Sequence, residues 1–229
     1  ACADENIWQQ EYCCVPMDES DAFLPWDLLR PCESVGAGDP ALAGPGAYYV
    51  GMDIGRRRDL SVIWAVEKVG DVFWTRQVVR LRGETFSAQE SALADIVARY
   101  KPLRVCIDQT GMGEKFVEDA QRRFGRVEGL LFTGPVKQEL AFGLRQLFED
   151  KRVRIPVDRA IRNAHHAVKK TVTAAGNVRF DADRTAAGHA DEFWAHALAV
   201  HAGINTFGPI EYQAARRRKT VAPLQRWIY

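Results

Sequence analysis

Three strand-like runs follow one another with no helix between them, at 48–54, 60–67 and 72–81, the last two joined by the turn Lys68-Val69-Gly70-Asp71. Connections this short return the chain antiparallel, so these runs predict a three-stranded meander. Beyond it the pattern changes. The stretch "SAQE" at 87–90 reads as a capping box, and Leu93, Ile96, Val97 and Tyr100 share one face of the helix it opens. Pro102 ends that helix, and 103–107 is a short, nearly all-apolar strand typical of a buried parallel one. A turn with Gly111 and Gly113, a helix to about Phe124 and a strand at 127–132 come next. Helices near 136–150 and 157–170, a hairpin over "TVTAAGNVRF" with a Gly-Asn turn, and a helix from about His189 to Gly203 complete the pattern. A meander followed by strands with crossover helices predicts an α/β fold, with a mixed β-sheet (antiparallel meander plus parallel strands) flanked by helices.

Charge divides the chain. Residues 1–45 hold nine acids against Arg30, a net of −8; the whole chain is +1, so the remainder is +9. A basic body suits a polyanion such as nucleic acid. In the acidic part, Trp8, Tyr12, Phe23 and Trp26 mark residues 1–33 as a segment that packs on something, whereas "SVGAGDPALAGPG" at 34–46 has the composition of a linker. The expected organisation is an N-terminal segment and linker over 1–46, the main domain over 47–205 and a tail over 206–229 carrying "RRRK". The acidic segment is expected to shield part of the basic body, so that deleting residues 1–33 raises affinity for nucleic acid. No apolar run is long enough to cross a bilayer. The polar start is unlike a signal peptide, and a first residue other than Met points to processing or to a piece of a longer protein. Cys2, Cys13, Cys14, Cys32 and Cys106 are odd in number and lack CxxC spacing, which reads as reduced thiols of a cytosolic protein.

One residue in the first strand is out of keeping with its surroundings. Asp53 stands near the end of "YYVGMDIGRRRDLSVIW", and a buried, unpaired carboxylate is costly. Asp108 ends the strand after the first crossover helix, and in such sheets ligands gather beyond the carboxyl ends of strands. If the two strands are neighbours, the two carboxylates converge. Asp191 opens the last helix in "HADEFWAHALAV", on the face of Trp194, Ala195 and Leu198, which directs it inward. Three converging carboxylates repel one another unless they are protonated or bridged by cations. Mg²⁺ takes such hard oxygen ligands, and two ions about 4 Å apart support in-line displacement at phosphorus.

In order, "GMDIGRRRDLSVIWAVE", "VCIDQTGMGEKFVEDA" and "HADEFWAHALAV" resemble the nuclease domain of the large terminase subunit of tailed bacteriophages, in its Mu-like group. The opening "IWQQEYCCVPMDESDAFLPWDLL" resembles the segment that joins the packaging ATPase to that nuclease. The resemblance implies an RNase H-like fold and two-metal cleavage of double-stranded DNA by Mg²⁺ or Mn²⁺ during genome packaging, in the bacterial cytoplasm and away from membranes. It assigns the metal-binding acids to Asp53, Asp108 and Asp191; apart from the resemblance, the position of Asp59 one turn past Asp53 suits an extra or supporting ligand. It implies as partners the ATPase domain of the same polypeptide, the small terminase subunit and the portal. The chain has no GxxxxGK[ST] phosphate loop, so it lacks the ATPase half.

Arg56, Arg57 and Arg58 are expected to contact the DNA backbone beside the metals, with Arg152, Arg154, Arg162, Lys169 and Lys170 extending that contact. Lys137 follows a strand within reach of a phosphate, although a solvated lysine is the plainer reading. His189 and Glu192 flank Asp191 and either tune the site or cap the helix. His165 and His166 are expected on the surface of a basic helix. Three other readings compete: a junction resolvase or transposase of the same fold, an actin-like or sugar-kinase-type ATP-binding domain suggested by "MDIGRRRDLSVIW" and "DQTGMG", and a non-catalytic DNA-binding module.

Overall fold

The computed structural model describes residues 22–55, 60–111, 113–172, 178–182 and 190–204. Arg56, Arg57, Arg58, Asp59 and His189 lie outside the described residues, as does the Gly-Asn turn of the expected hairpin.

The meander forms the centre of a six-stranded sheet of order β5-β4-β1-β2-β3-β6. β1 (Ala47–Asp53) pairs antiparallel with β2 (Leu60–Val69), which pairs antiparallel with β3 (Val72–Arg82). β4 (Arg104–Asp108) runs parallel to β1, and β5 (Val127–Leu130) parallel to β4. β6 (Val153–Arg154) adds a parallel edge beside Phe73 and Trp74; its two residues are too few to show a period.

Both faces of the sheet are covered, because alternate residues point to opposite sides. Val50, Met52, Ile63, Ala65, Val105 and Ile107 form one core with α2 (Phe86–Tyr100) and α3 (Gly113–Phe124). Tyr49, Trp64, Val66, Phe73 and Cys106 form the other, with α4 (Gly134–Glu149), α5 (Arg159–His166) and α6 (Asp191–Ile204). The cap of α2 is Thr85, whose hydroxyl accepts from the Ala88 amide at 3.2 Å. Ser87, expected as the cap, already lies in the first turn. No helix among the described residues is long and apolar enough to cross a membrane.

The N-terminal segment enters the second core. Phe23 and Leu24, then Leu29 of the short α1 (Trp26–Leu29) and Cys32, are fully buried. The Phe23 ring meets Phe180 and Phe142 edge-on at 4.8 and 5.4 Å. Removing residues 1–33 would therefore strip core side chains, and a shielding test is better made by removing 1–21. The Gly- and Pro-rich stretch that follows is fastened to the sheet. The Glu67 carboxylate accepts from the amides of Gly44 and Gly46 at 3.1 and 2.9 Å and from Arg76 at 2.7 Å.

Two expectations are corrected beyond Asp158. The helix predicted over 157–170 stops at His166, and β7 (Val168–Val172) pairs with β8 (Val178–Ala182). Val168 is taken into the strand because its carbonyl accepts from the Phe23 amide at 2.8 Å, a contact set by distant sequence. His165 and His166 are buried rather than on the surface. His166 stacks on Trp26 at 3.7 Å and donates from Nδ1 to the Leu24 carbonyl. His165 Nδ1 faces the Ile161 carbonyl at 2.8 Å and so must donate, which leaves its Nε2 to accept from His196 Nδ1 at 2.9 Å. Both rings are neutral: burial lowers His165 to about 4 and holds His196 well below the ordinary imidazole range.

This pair ties stability to pH. Near pH 7 both imidazoles are neutral, folded or unfolded. Between the unfolded value of about 6.5 and the folded value of about 4, only the unfolded chain gains the His165 proton, so stability falls as pH falls. The loss at pH 5 is on the order of 2 kcal/mol from His165. The raised carboxyls of Asp53, Asp108 and Glu192 titrate in the opposite sense and the lowered Glu67 in the same sense, so the difference between variants isolates the histidine. His165→Gln preserves a donor and an acceptor, and urea midpoints at pH 7 and 5 should differ less for it than for the parent chain.

Candidate metal centre

Asp53 and Asp108 end neighbouring parallel strands. Met52 pairs with Ile107, and the two aspartates are the next residues along. Asp53 shares its parity with Gly51, and Asp108 shares its parity with Cys106, so both side chains project to the face covered by α6.

Gly51 sets how closely α6 approaches. A Cβ there would stand 2.1 Å from the Ala195 carbonyl oxygen and 2.3 Å from the Ala199 amide nitrogen. Only glycine lets helix backbone rest on strand backbone at this point. The contact lies one turn past Asp191 and so brings the start of the helix to the ends of β1 and β4. Ala190, immediately before Asp191, is buried with φ 60. An L-residue in that left-handed region costs about 1–2 kcal/mol. Beyond Asp191, the buried Glu192 pairs with Arg80 of β3, which also reaches Asp158 at 3.3 Å.

Charge accumulates at this junction. Burial pushes the Asp53 pKa well above the ordinary carboxylate range, the charges of Asp191 and Asp108 push it further, and Lys137 opposes them. Burial also raises Asp108, against the Thr110 hydroxyl and amide, which donate to its Oδ1 at 2.5 and 2.8 Å, and against Lys137. The Thr110 hydroxyl in turn accepts from the Phe132 amide at 3.1 Å, tying β4 to the end of β5. On the other side of Asp53, Ser61 Oγ accepts from the Gly55 amide at 2.9 Å and holds the turn that leaves β1.

Thus Asp53 lies within the fields of Asp108 and Asp191, and the Lys137 charge reaches both Asp53 and Asp108. Glu192 is turned to Arg80. Arg152 and Arg154 do not lie beside Asp53. They flank or form β6 at the opposite end of the sheet, five to seven residues down and three strands across, roughly 22–27 Å away. Arg152 bonds to the Asp71 carbonyl, and Arg154 lies over Trp74. Gly51, Ser61, Thr110 and Arg80 were missed. Two of them carried a local signal: glycine inside a strand marks a close backbone approach, and Asp-x-Thr suits a side-chain turn.

The donors suit a divalent cation. They are all-oxygen, hard ligands whose mutual repulsion such an ion relieves. Among the described residues no group of three or more His, Cys, Asp or Glu is already arranged to hold an ion, so the fit is one of charge and donor type. Gly51→Ala should force α6 off β1 and lower unfolding free energy by on the order of 3 kcal/mol, measured by urea denaturation. An unchanged midpoint would contradict the close contact.

Comparison with known proteins agrees with this architecture. No curated protein matches the chain. The large terminase nuclease of thermophilic phage G20c, solved with bound magnesium, is 22% identical with a TM-score of 0.67, covering 81% of this chain and 98% of that one. The large terminase nuclease domain of Thermus phage P74-26 is 25% identical with a TM-score of 0.56, covering 67% and 77%. The large terminase of bacteriophage HK97 is 17% identical with a TM-score of 0.61; the match covers 79% of this chain and 43% of that one. The profile described as "Terminase RNaseH-like domain" matches residues 50–202, from β1 to within α6, and the chain belongs to that family.

Proposed function

We propose that this chain is the nuclease part of a phage large terminase and hydrolyses phosphodiester bonds of double-stranded DNA during genome packaging. Asp53, Asp108 and Asp191 would hold two divalent cations, Mg²⁺ or Mn²⁺, with Asp59 as an extra or supporting ligand. The observation that carries this reading is the meeting of two acids on adjacent strand ends with a third on the helix laid across them. When bound, the ions supply Lewis acidity, which activates water and stabilises charge on the leaving oxygen.

The chain's own residues supply placement and charge. Thr110 holds one oxygen of Asp108, and Glu192, gripped by Arg80, fixes the start of the helix that bears Asp191. Arg56, Arg57 and Arg58 follow Asp53 in sequence after Ile54 and Gly55 and are proposed, with Lys137, to steer the phosphate backbone onto it. Arg152 and Arg154 would touch a duplex only well beyond the cleaved bond. Such contacts favour no sequence and weaken with salt. The ATPase domain of the same polypeptide, the small subunit and the portal are partners proposed for the full-length protein, working in the host cytoplasm.

The test is incubation of the purified chain with supercoiled plasmid and Mg²⁺, Mn²⁺ or EDTA, beside Asp53→Asn and Asp191→Asn. Cutting should require the metal and fall at least about 100-fold in either variant. A folded parent chain that cuts with neither metal would overturn the reading as a self-sufficient nuclease. Activity confined to branched DNA would move it to a junction resolvase.

A further inference from the structure

Lys137 occupies an unfavourable position for a cation. It lies in the first turns of α4, where the Thr133 hydroxyl caps the helix and the macrodipole presents positive charge. It is nonetheless partly buried, with its ammonium 5.0 Å from the centre of the Trp194 ring and 5.4 Å from that of Phe132. The two rings are themselves 5.4 Å apart. Each wall of this clamp is tied to an acid of the site. Trp194 stands three residues after Asp191 on α6, and the Phe132 amide donates to the hydroxyl that holds Asp108. The Lys137 charge favours the ionised forms of both Asp53 and Asp108.

We infer that Lys137 is a resident counter-ion of the carboxylate site, a positioning residue whose clamped ammonium balances the acids and weakens their hold on divalent cations. This rests on the metal-site reading above. A fixed positive charge beside the ligands shares the field that an incoming ion would otherwise have to itself. Aromatic faces suit this role, since they hold an ammonium in place without neutralising it.

Calorimetric titration of the full 229-residue chain with MnCl₂ alone, at pH 8, tests the inference without reference to cleavage. Lys137→Gln should bind Mn²⁺ about 3- to 10-fold more tightly than the parent. Lys137→Arg, which retains the charge, should stay within about twofold. Phe132→Leu, which opens the clamp but leaves the lysine, should fall between them. Equal Mn²⁺ affinity in parent and Lys137→Gln, with weaker DNA binding in the variant, would overturn the inference and make Lys137 a phosphate contact only. No Mn²⁺ binding by either protein would overturn the metal-site reading and this inference with it.

Discussion

Main chain touches main chain where α6 crosses β1, and the candidate centre depends on that contact. At Gly51 there is no room for a methyl group between the strand and the backbone of Ala195 and Ala199. Sheet geometry brings Asp53 and Asp108 side by side without further help, because they end adjacent parallel strands. Asp191 comes from 83 residues further along the chain than Asp108 and has no such guarantee. It reaches the same place because α6 can lie flat on the sheet, and its neighbour Ala190 takes up a left-handed turn to begin the helix there.

The electrostatics follow from that packing. Burial raises the pKa values of Asp53 and Asp108, and an isolated buried carboxylate would simply keep its proton. The fold counters this with local donors and cations: Thr110 for Asp108, Lys137 for Asp53 and Asp108, and Arg80 for Glu192. The site is therefore held together by charges that a divalent cation complements, with an aromatic pair keeping one of those charges in place.

Much of this was legible in the sequence. The meander, the two parallel strands and the position of both strand-end acids follow from period-two alternation and from where the apolar runs stop. Asp191 stood out in the sequence as the acid that opens a mostly apolar helix; that helix is buried on every side from Glu192 to Val200, so Trp194 and Leu198 do not by themselves define an inward face. What could not be read depends on contacts between distant segments. Val168 becomes strand instead of helix because Phe23, 145 residues earlier in the chain, pairs with it. His165 and His166 look like surface residues of a basic helix until Trp26, Leu24 and His196 are brought against them. The basic pair Arg152 and Arg154 carries no local mark of which end of the sheet β6 will join.

Whether Asp53, Asp108 and Asp191 share a divalent cation is read directly by anomalous scattering from crystals of the chain grown with Mn²⁺. Manganese density bonded to carboxylate oxygens of all three residues is the expected result. Manganese bound elsewhere, or held by Asp108 alone with Asp53 and Asp191 turned away, would contradict it.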